Sequence, residues 1–346
     1  MRQGTSTSLK KIAESTNLSI TTISRVLRDN GEVSSNTRKR VLDAAKKMRY
    51  RPNMLIQAIQ TGKTRTMGVV VPPYDSYWTS VLCGIHDALT EADHVYINVW
   101  CPYTGGGHSY NDLLQEQLHR LIDRRVDGFI LWAHLAPLYN ENLIEDLEAR
   151  DLPVVTIDHE LGFADCVETD EQLGATLAAE YLLELGHKYV AHLGWDNFYK
   201  WAYLRRTFFE QAIEKSGKAS CMTVTCKEDN DVENAAGTLL SANPRPTAIF
   251  ACSDRIAKMI YAVAGRMKLR IPDDLSVIGF ADLEFAQWMQ PALTTIRQNG
   301  REMGRAAAKA LVERSLSVNK DIPPRRIKIE CEIVKRASTA VAPKNT

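Results

Sequence analysis

Leu9–Asn53, LKKIAESTNLSITTISRVLRDNGEVSSNTRKRVLDAAKKMRYRPN, is the stretch that decides how the N-terminal part of the chain folds. Leu9, Ile12 and Ala13 fall at i, i+3 and i+4, one apolar face of a short helix. Thr16-Asn17-Leu18 interrupts that pattern, and asparagine accepts the left-handed backbone a tight turn needs. Ser19 can cap a second helix, in which Ile23, Val26 and Leu27 make the buried stripe. At about 100° per residue, Thr21 and Arg25 point away from the stripe and Ile20 sits at its edge. Ser34 is the expected cap of a third helix, with Val41, Leu42, Ala45 and Met48 on its inner face. Two short helices, a tight turn and a polar outer face carrying an arginine describe a helix-turn-helix DNA reader.

Charge supports the same reading. The net charge of +1 hides an asymmetry: residues 1–62 hold twelve Lys/Arg against four Asp/Glu, a net +8, and the remainder is −7. A basic arm on an acidic body implies that only the N-terminus meets a polyanion. On the exposed face, Arg25 can grip guanine through O6 and N7 and Thr21 can reach a base edge. Ile20 is either a thymine-methyl contact or the rim of the core. Lys10, Ser19, Ser24, Arg38, Lys39 and Arg40 suit backbone phosphates, or are solvated surface.

At 346 residues, two or three domains are expected. MRQGTSTSLK lacks the apolar core of a signal peptide and no apolar run is long enough to span a bilayer, so the expected location is the cytoplasm, without a membrane. Seven scattered cysteines fit reduced thiols there. Eight dispersed histidines lack metal spacing, so neither a metal nor a cofactor is expected. Gly105-Gly106-Gly107 lacks the Lys-Ser/Thr of a phosphate loop and no Gly-x-Ser-x-Gly occurs, so no enzyme is expected.

Pro52 can start, and Gly62 stop, a helix of about two turns, too short to be stable without a partner. From Thr66 the texture becomes strand–helix alternation, a doubly wound α/β pattern. Strands are expected at 66–71, 94–100, 126–132, 152–158, 189–194, 222–226, 248–252 and 276–280, with a last one around 326–334. The end, ASTAVAPKNT, lacks leucine heptads for a tetramer-forming coiled coil, and disorder is expected from about 337 to 346.

IAESTNLSITTISRVL, VSSNTRKRV and YRPN together resemble the DNA-binding headpiece of the lac repressor family, although the family's Ala-Gly turn reads Thr16-Asn17 here. VVTIDHE, the spacing Val167-x-x-Asp170-x-x-x-Gly174, LGHKYVAHLG, IFACSD, LSVIGF and PALTTIRQ are similar to the two-lobed type I periplasmic-binding fold that completes such repressors. The resemblance implies an all-α headpiece (1–51), a hinge helix (52–62) and an α/β effector and dimerisation domain (63–346). Crossovers between lobes are expected near 159–163, 291–295 and 322–326. The first lobe would then be about 63–160 with 295–322, the second about 162–291 with 325–338.

The resemblance further implies a homodimeric repressor on a near-palindromic double-stranded operator, with a small-molecule effector, a sugar or sugar derivative, between the lobes. A transport-type solute-binding protein shares the two-lobed fold, but the basic headpiece argues against it. Carried over position by position, Asn53, Ile56 and Ile59 belong to the minor-groove hinge, Ile59 as the wedging residue. Tyr77, Trp78, Trp132, Asp158, Trp201, Arg205, Ser253 and Ala281 belong to the effector cleft. Ala281 departs from the family: Gly-Phe-Ala-Asp stands in place of Gly-Phe-Asp-Asp, and Asp282 should point away if the strand end is regular.

Overall fold

The computed structural model describes residues 9–27, 33–51, 58–59, 61–100, 110–132, 145, 147–196, 200–227, 231–317 and 322–343. Asn53, Ile56 and Gly105–Gly107 lie outside them. The chain divides into two compact units, Met1–Thr64 and Arg65–Thr346.

In the first unit α1 (Leu9–Thr16), α2 (Ile20–Leu27) and α3 (Ser35–Lys47) enclose Ile12, Ala13, Ile23, Val26, Val41 and Ala45. Asn17 has φ +52°, and Leu18 N–H donates to the Ala13 carbonyl, the 6→1 bond that ends α1. Ser19 and Ser34 accept from the backbone N–H groups of Thr22 and Thr37, as their capping role requires. One expectation fails: Leu42 is exposed, because Val41 and Ala45 fill the inner face and put their neighbour outside it.

The second unit holds two six-stranded sheets. The first runs, in spatial order, β2 (Val95–Asn98), β1 (Thr66–Val70), β3 (Phe129–Trp132), β4 (Val154–Ile157), β5 (Asp165–Thr169) and β11 (Arg326–Ile329), with every pair parallel. The second runs β7 (Ser220–Cys226), β6 (Tyr189–Trp195), β8 (Ala248–Ala251), β9 (Ser276–Ala281), β10 (Thr294–Gln298) and β12 (Cys331–Val334), with only β12 antiparallel. Parallel strands covered on both faces read as continuous Val/Ile/Leu runs, which is why most were visible in the sequence.

The lobe boundaries differ from expectation. β5 belongs to the first lobe, so the chain crosses at about 170 and not at 159–163. β10 belongs to the second lobe, which moves the next crossing to about 299. The single strand expected at 326–334 is two, divided at Glu330, one in each sheet. β5 escaped notice because Asp-Cys-Val-Glu-Thr has no apolar run, although all five residues are buried. Its Asp165 is held by Arg314 and Arg325, and its Glu168 by Arg326 and Lys200. Partnered in this way, carboxylates can occupy a covered strand.

α4 (Ser76–Glu91) and α10 (Gly300–Leu316) pack on the first sheet with their backbones in contact. A Cβ on Gly84 would lie 2.0 Å from the Arg301 carbonyl, and one on Gly304 2.0 Å from that of Val81. Arg301 to Asp87 and Arg305 to Glu91 lace the outer edge of the pair.

Residues 337–343 pack against the second lobe, contrary to the disorder expected there. Ser338 is fully buried, donates to the Val277 carbonyl at 2.6 Å and accepts from Thr294 N–H at 2.8 Å. Val277 N–H donates to the Ser338 carbonyl, and Ala342 N–H to that of Leu185. A polar composition did not prevent docking because the start of β9 and β10 supplied backbone partners. Ser338→Ala should lower stability by about 1–3 kcal/mol, since both partners stay buried without it; urea unfolding curves measure the difference.

Candidate functional site

The headpiece presents one coherent face. Thr21 and Arg25 are exposed on α2, and Ile20 is 50% exposed, which removes it from the core and leaves an apolar group on the surface at the start of the helix. Lys10, Ser19 and Lys39 are exposed, while Ser24 and Arg38 are half-buried. Arg40 has a structural task as well: its guanidinium donates to the Thr16 carbonyl at 2.6 Å, satisfying the C-terminal end of α1. Ile59, described within a helical stretch, is 85% exposed.

In the second unit, five residues converge where the carboxyl ends of the first sheet meet α6 (Glu171–Glu184) and α7 (Lys200–Ser216). Asp158 follows β4 with φ +67° and lines a cavity of about 280 Å³ together with Glu168, Glu171, Trp201 and Phe208. Glu171, the first residue of α6, meets Arg205 on α7 in a bidentate pair, Nε to Oε2 at 2.6 Å and Nη2 to Oε1 at 2.9 Å. Arg205 Nη1 donates to the Cys252 carbonyl at 2.7 Å. The guanidinium carbon lies 3.6 Å from the ring centre of Phe280 and 4.6 Å from that of Trp201.

Electrostatics follow from this crowding. Burial, aided by the Glu171 charge, pushes the Asp158 carboxyl up to about 7. Burial opposes the Arg205 charge, yet the Glu171 carboxylate holds its pKa above the ordinary value, while burial pushes the Glu171 carboxyl up against the opposing pull of Arg205. The Tyr77 phenol is raised well above its usual range, by burial first and then by Asp158, with Thr169 acting the other way, and its buried hydroxyl makes no hydrogen bond of standard geometry among the described residues.

The other candidates lie elsewhere. Trp78 is buried in the first-lobe core, with ring centres 5.0 Å from Tyr77 and 5.1 Å from Trp132, while Tyr77 lies close enough to Asp158 to feel its charge. Ser253 caps α9 (Asp254–Arg266) by accepting from Ile256 N–H. Ala281 ends β9 with φ +112°, and Asp282 turns away to bind Arg297 and Arg336, although that strand end is irregular. A second hollow, about 500 Å³ and lined by Tyr74, Asp75, Arg255, Glu284 and Trp288, contains none of the expected residues. It lies where the Arg255–Asp75 ion pair and the Glu284 N–H to Ser76 Oγ bond tie the lobes together. Glu171 was not anticipated; its only sequence signal was an acid beside Asp170 at a helix start.

Two family descriptions match the chain: "Bacterial regulatory proteins, lacI family" over residues 8–53 and "Periplasmic binding protein-like domain" over 179–339. The chain belongs to the lacI family of bacterial regulators. The transcriptional repressor CytR of Escherichia coli is 29% identical over 349 residues, covering 99% of both chains. A lacI-family regulator from Enterococcus faecium, solved with bound ribose, matches 80% of this chain and all of its own at 26% identity and a TM-score of 0.67. The lac repressor dimer on its operator matches 96% of this chain and 99% of its own, with a TM-score of 0.76 at 21% identity, a likeness of fold. Within this lacI-family chain, no helix among the described residues is long and apolar enough to cross a membrane.

Proposed function

We propose that the chain is a ligand-responsive, sequence-specific transcriptional repressor, acting in the cytoplasm as a homodimer on a near-palindromic operator. The observation that carries this reading is the exposed Ile20, Thr21 and Arg25 face of α2, joined in one chain to a two-lobed cleft. Paired recognition helices enter major grooves about one turn apart, with the hinge segments between them at the minor groove. A ligand between the lobes alters their relative pose and so biases operator affinity, a coupling free energy between two sites. A relative solved with bound ribose favours a sugar or sugar derivative, and control of a carbohydrate-related operon follows from that. Histidines without metal spacing and the absence of a nucleophile elbow leave the cleft a binding site rather than a reaction centre.

Gel-shift binding to DNA from the protein's own upstream region tests the proposal. Arg25→Ala should lose about 1–3 kcal/mol on the preferred operator and relax discrimination at one G·C pair. Lys39→Ala should weaken all sequences alike and flatten the salt dependence. Unchanged base preference in Arg25→Ala would remove α2 from the role of reader.

A further inference from the structure

The charges around the cleft are matched in an uneven way. Two edges of the Arg205 guanidinium are taken by Glu171 and one by the Cys252 carbonyl, and its faces lie against Phe280 and Trp201. A guanidinium held like this has little left for a carboxylate or phosphate: Glu171 stands where an anionic ligand would. The bases lining the cavity are also taken up, Arg326 by Glu160 and Glu168, Lys200 by Glu168 and Lys328 by Asp170. Asp158 is the exception. Among the described residues no cation lies within ion-pair distance of it, and the arginine whose charge it feels is already bound to Glu171. The buried Tyr77 hydroxyl makes no hydrogen bond of standard geometry among the described residues and lies close enough to feel the Asp158 charge, and Trp201 lines the cavity from the second-lobe side.

We propose that the ligand is a ring compound bearing an amine, cationic at neutral pH, which sets its ammonium on Asp158, bonds a hydroxyl to Tyr77 and lays a face on Trp201. A cation completes the unmatched carboxylate, and charge-assisted bonds of this kind are about twice as strong as neutral ones. Aromatic faces beside the acid favour a cation further. An anion would meet Asp158, Glu168 and Glu171 with every lining base already paired, a placement that buried charge makes unfavourable. A neutral sugar would satisfy Tyr77 and leave Asp158 unmatched. This inference rests on the cleft being the ligand site of the proposed regulator.

The test uses the full chain and matched probes on one ring: D-glucose and D-galactose, their 2-amino forms, their uronates and their 6-phosphates. Thermal shift and calorimetry should show binding of the amino sugars and none of the anionic forms. Asp158→Asn should weaken amino-sugar binding at least about tenfold, the change that about 1.4 kcal/mol produces. Glu171→Gln, by releasing Arg205, should gain binding of the uronates. The proposal is overturned if uronates or phosphates bind the wild type better than the amino sugars. It is equally overturned if the neutral sugar matches its amino partner and Asp158→Asn changes nothing, or if no amino sugar binds. Gel shifts on the same preparations separate the two readings, since retained operator binding keeps the regulator while the ligand class fails.

Discussion

Glu171→Ala should lower the stability of the Arg65–Thr346 unit by about 3–5 kcal/mol, the largest loss expected of any single substitution here. Both partners are nearly sealed from water, Glu171 at 7% and Arg205 at 5% exposure, so solvent cannot take over when one is removed. The variant leaves a guanidinium pressed between Phe280 and Trp201 with only the Cys252 carbonyl to accept from it. The double replacement Glu171→Leu with Arg205→Met removes both charges and should recover most of the loss, because a buried pair is hard to break by halves and easy to replace whole. Urea unfolding of the two variants beside the wild type measures this. A loss below about 1 kcal/mol in Glu171→Ala would mean that water reaches Arg205, contrary to the packing described.

Asp158→Asn should act in the opposite direction, by an amount that grows as the pH rises above about 4. The folded carboxyl titrates at about 7, against an ordinary value of 3.8. A carboxyl raised on folding contributes its stability below the unfolded pKa, and that contribution is lost as pH rises through the folded pKa. Wild-type stability therefore falls between about pH 4 and pH 8, and the neutral asparagine escapes this part of the fall. Allowing for the cavity's partial solvation, Asp158→Asn should be more stable than the wild type at pH 8 by on the order of 2–3 kcal/mol and nearly equal at pH 4. Asparagine tolerates φ +67° as readily as aspartate, so backbone strain does not enter the comparison. Asp254, also raised to about 7 by burial, titrates in both proteins and cancels. Equal stability of the two proteins at pH 8 would show that Asp158 is solvated like a surface acid.

The elements legible in the sequence were those whose signal is local. Asn17 at a helix end, Ser19 and Ser34 as caps, and the Val/Ile runs of the parallel strands are read within a few residues, and the structure places them accordingly. What escaped depends on partners far along the chain. β5 could be recognised as a strand only by knowing that Arg314 and Arg325 would neutralise Asp165 from about 150 residues away. The order of residues 337–343 depends on backbone groups offered by β9 and β10, which no tail composition reveals. In the cleft, Arg205 was identifiable by its position after Gly194, whereas its saturation by Glu171 required α6 and α7 to be brought side by side. Ser253 carried a polar side chain in the right place and spends it on a helix cap.

The interleaving of the two sheets has a consequence for how a ribosome must deliver this protein. The helix α10 that covers the first sheet, together with β11 at its edge, is encoded after the whole body of the second lobe. About 130 residues separate β5 from α10, which at about 5–20 residues per second leaves the nascent first lobe without its cover for on the order of ten seconds. During that time the face of α4 around Gly84, which later receives α10 in backbone contact, is bare. The second lobe waits as well, for β12 at its sheet edge and for Ser338 between β9 and β10. Translation arrested shortly before residue 300 should therefore leave the first lobe open to proteases.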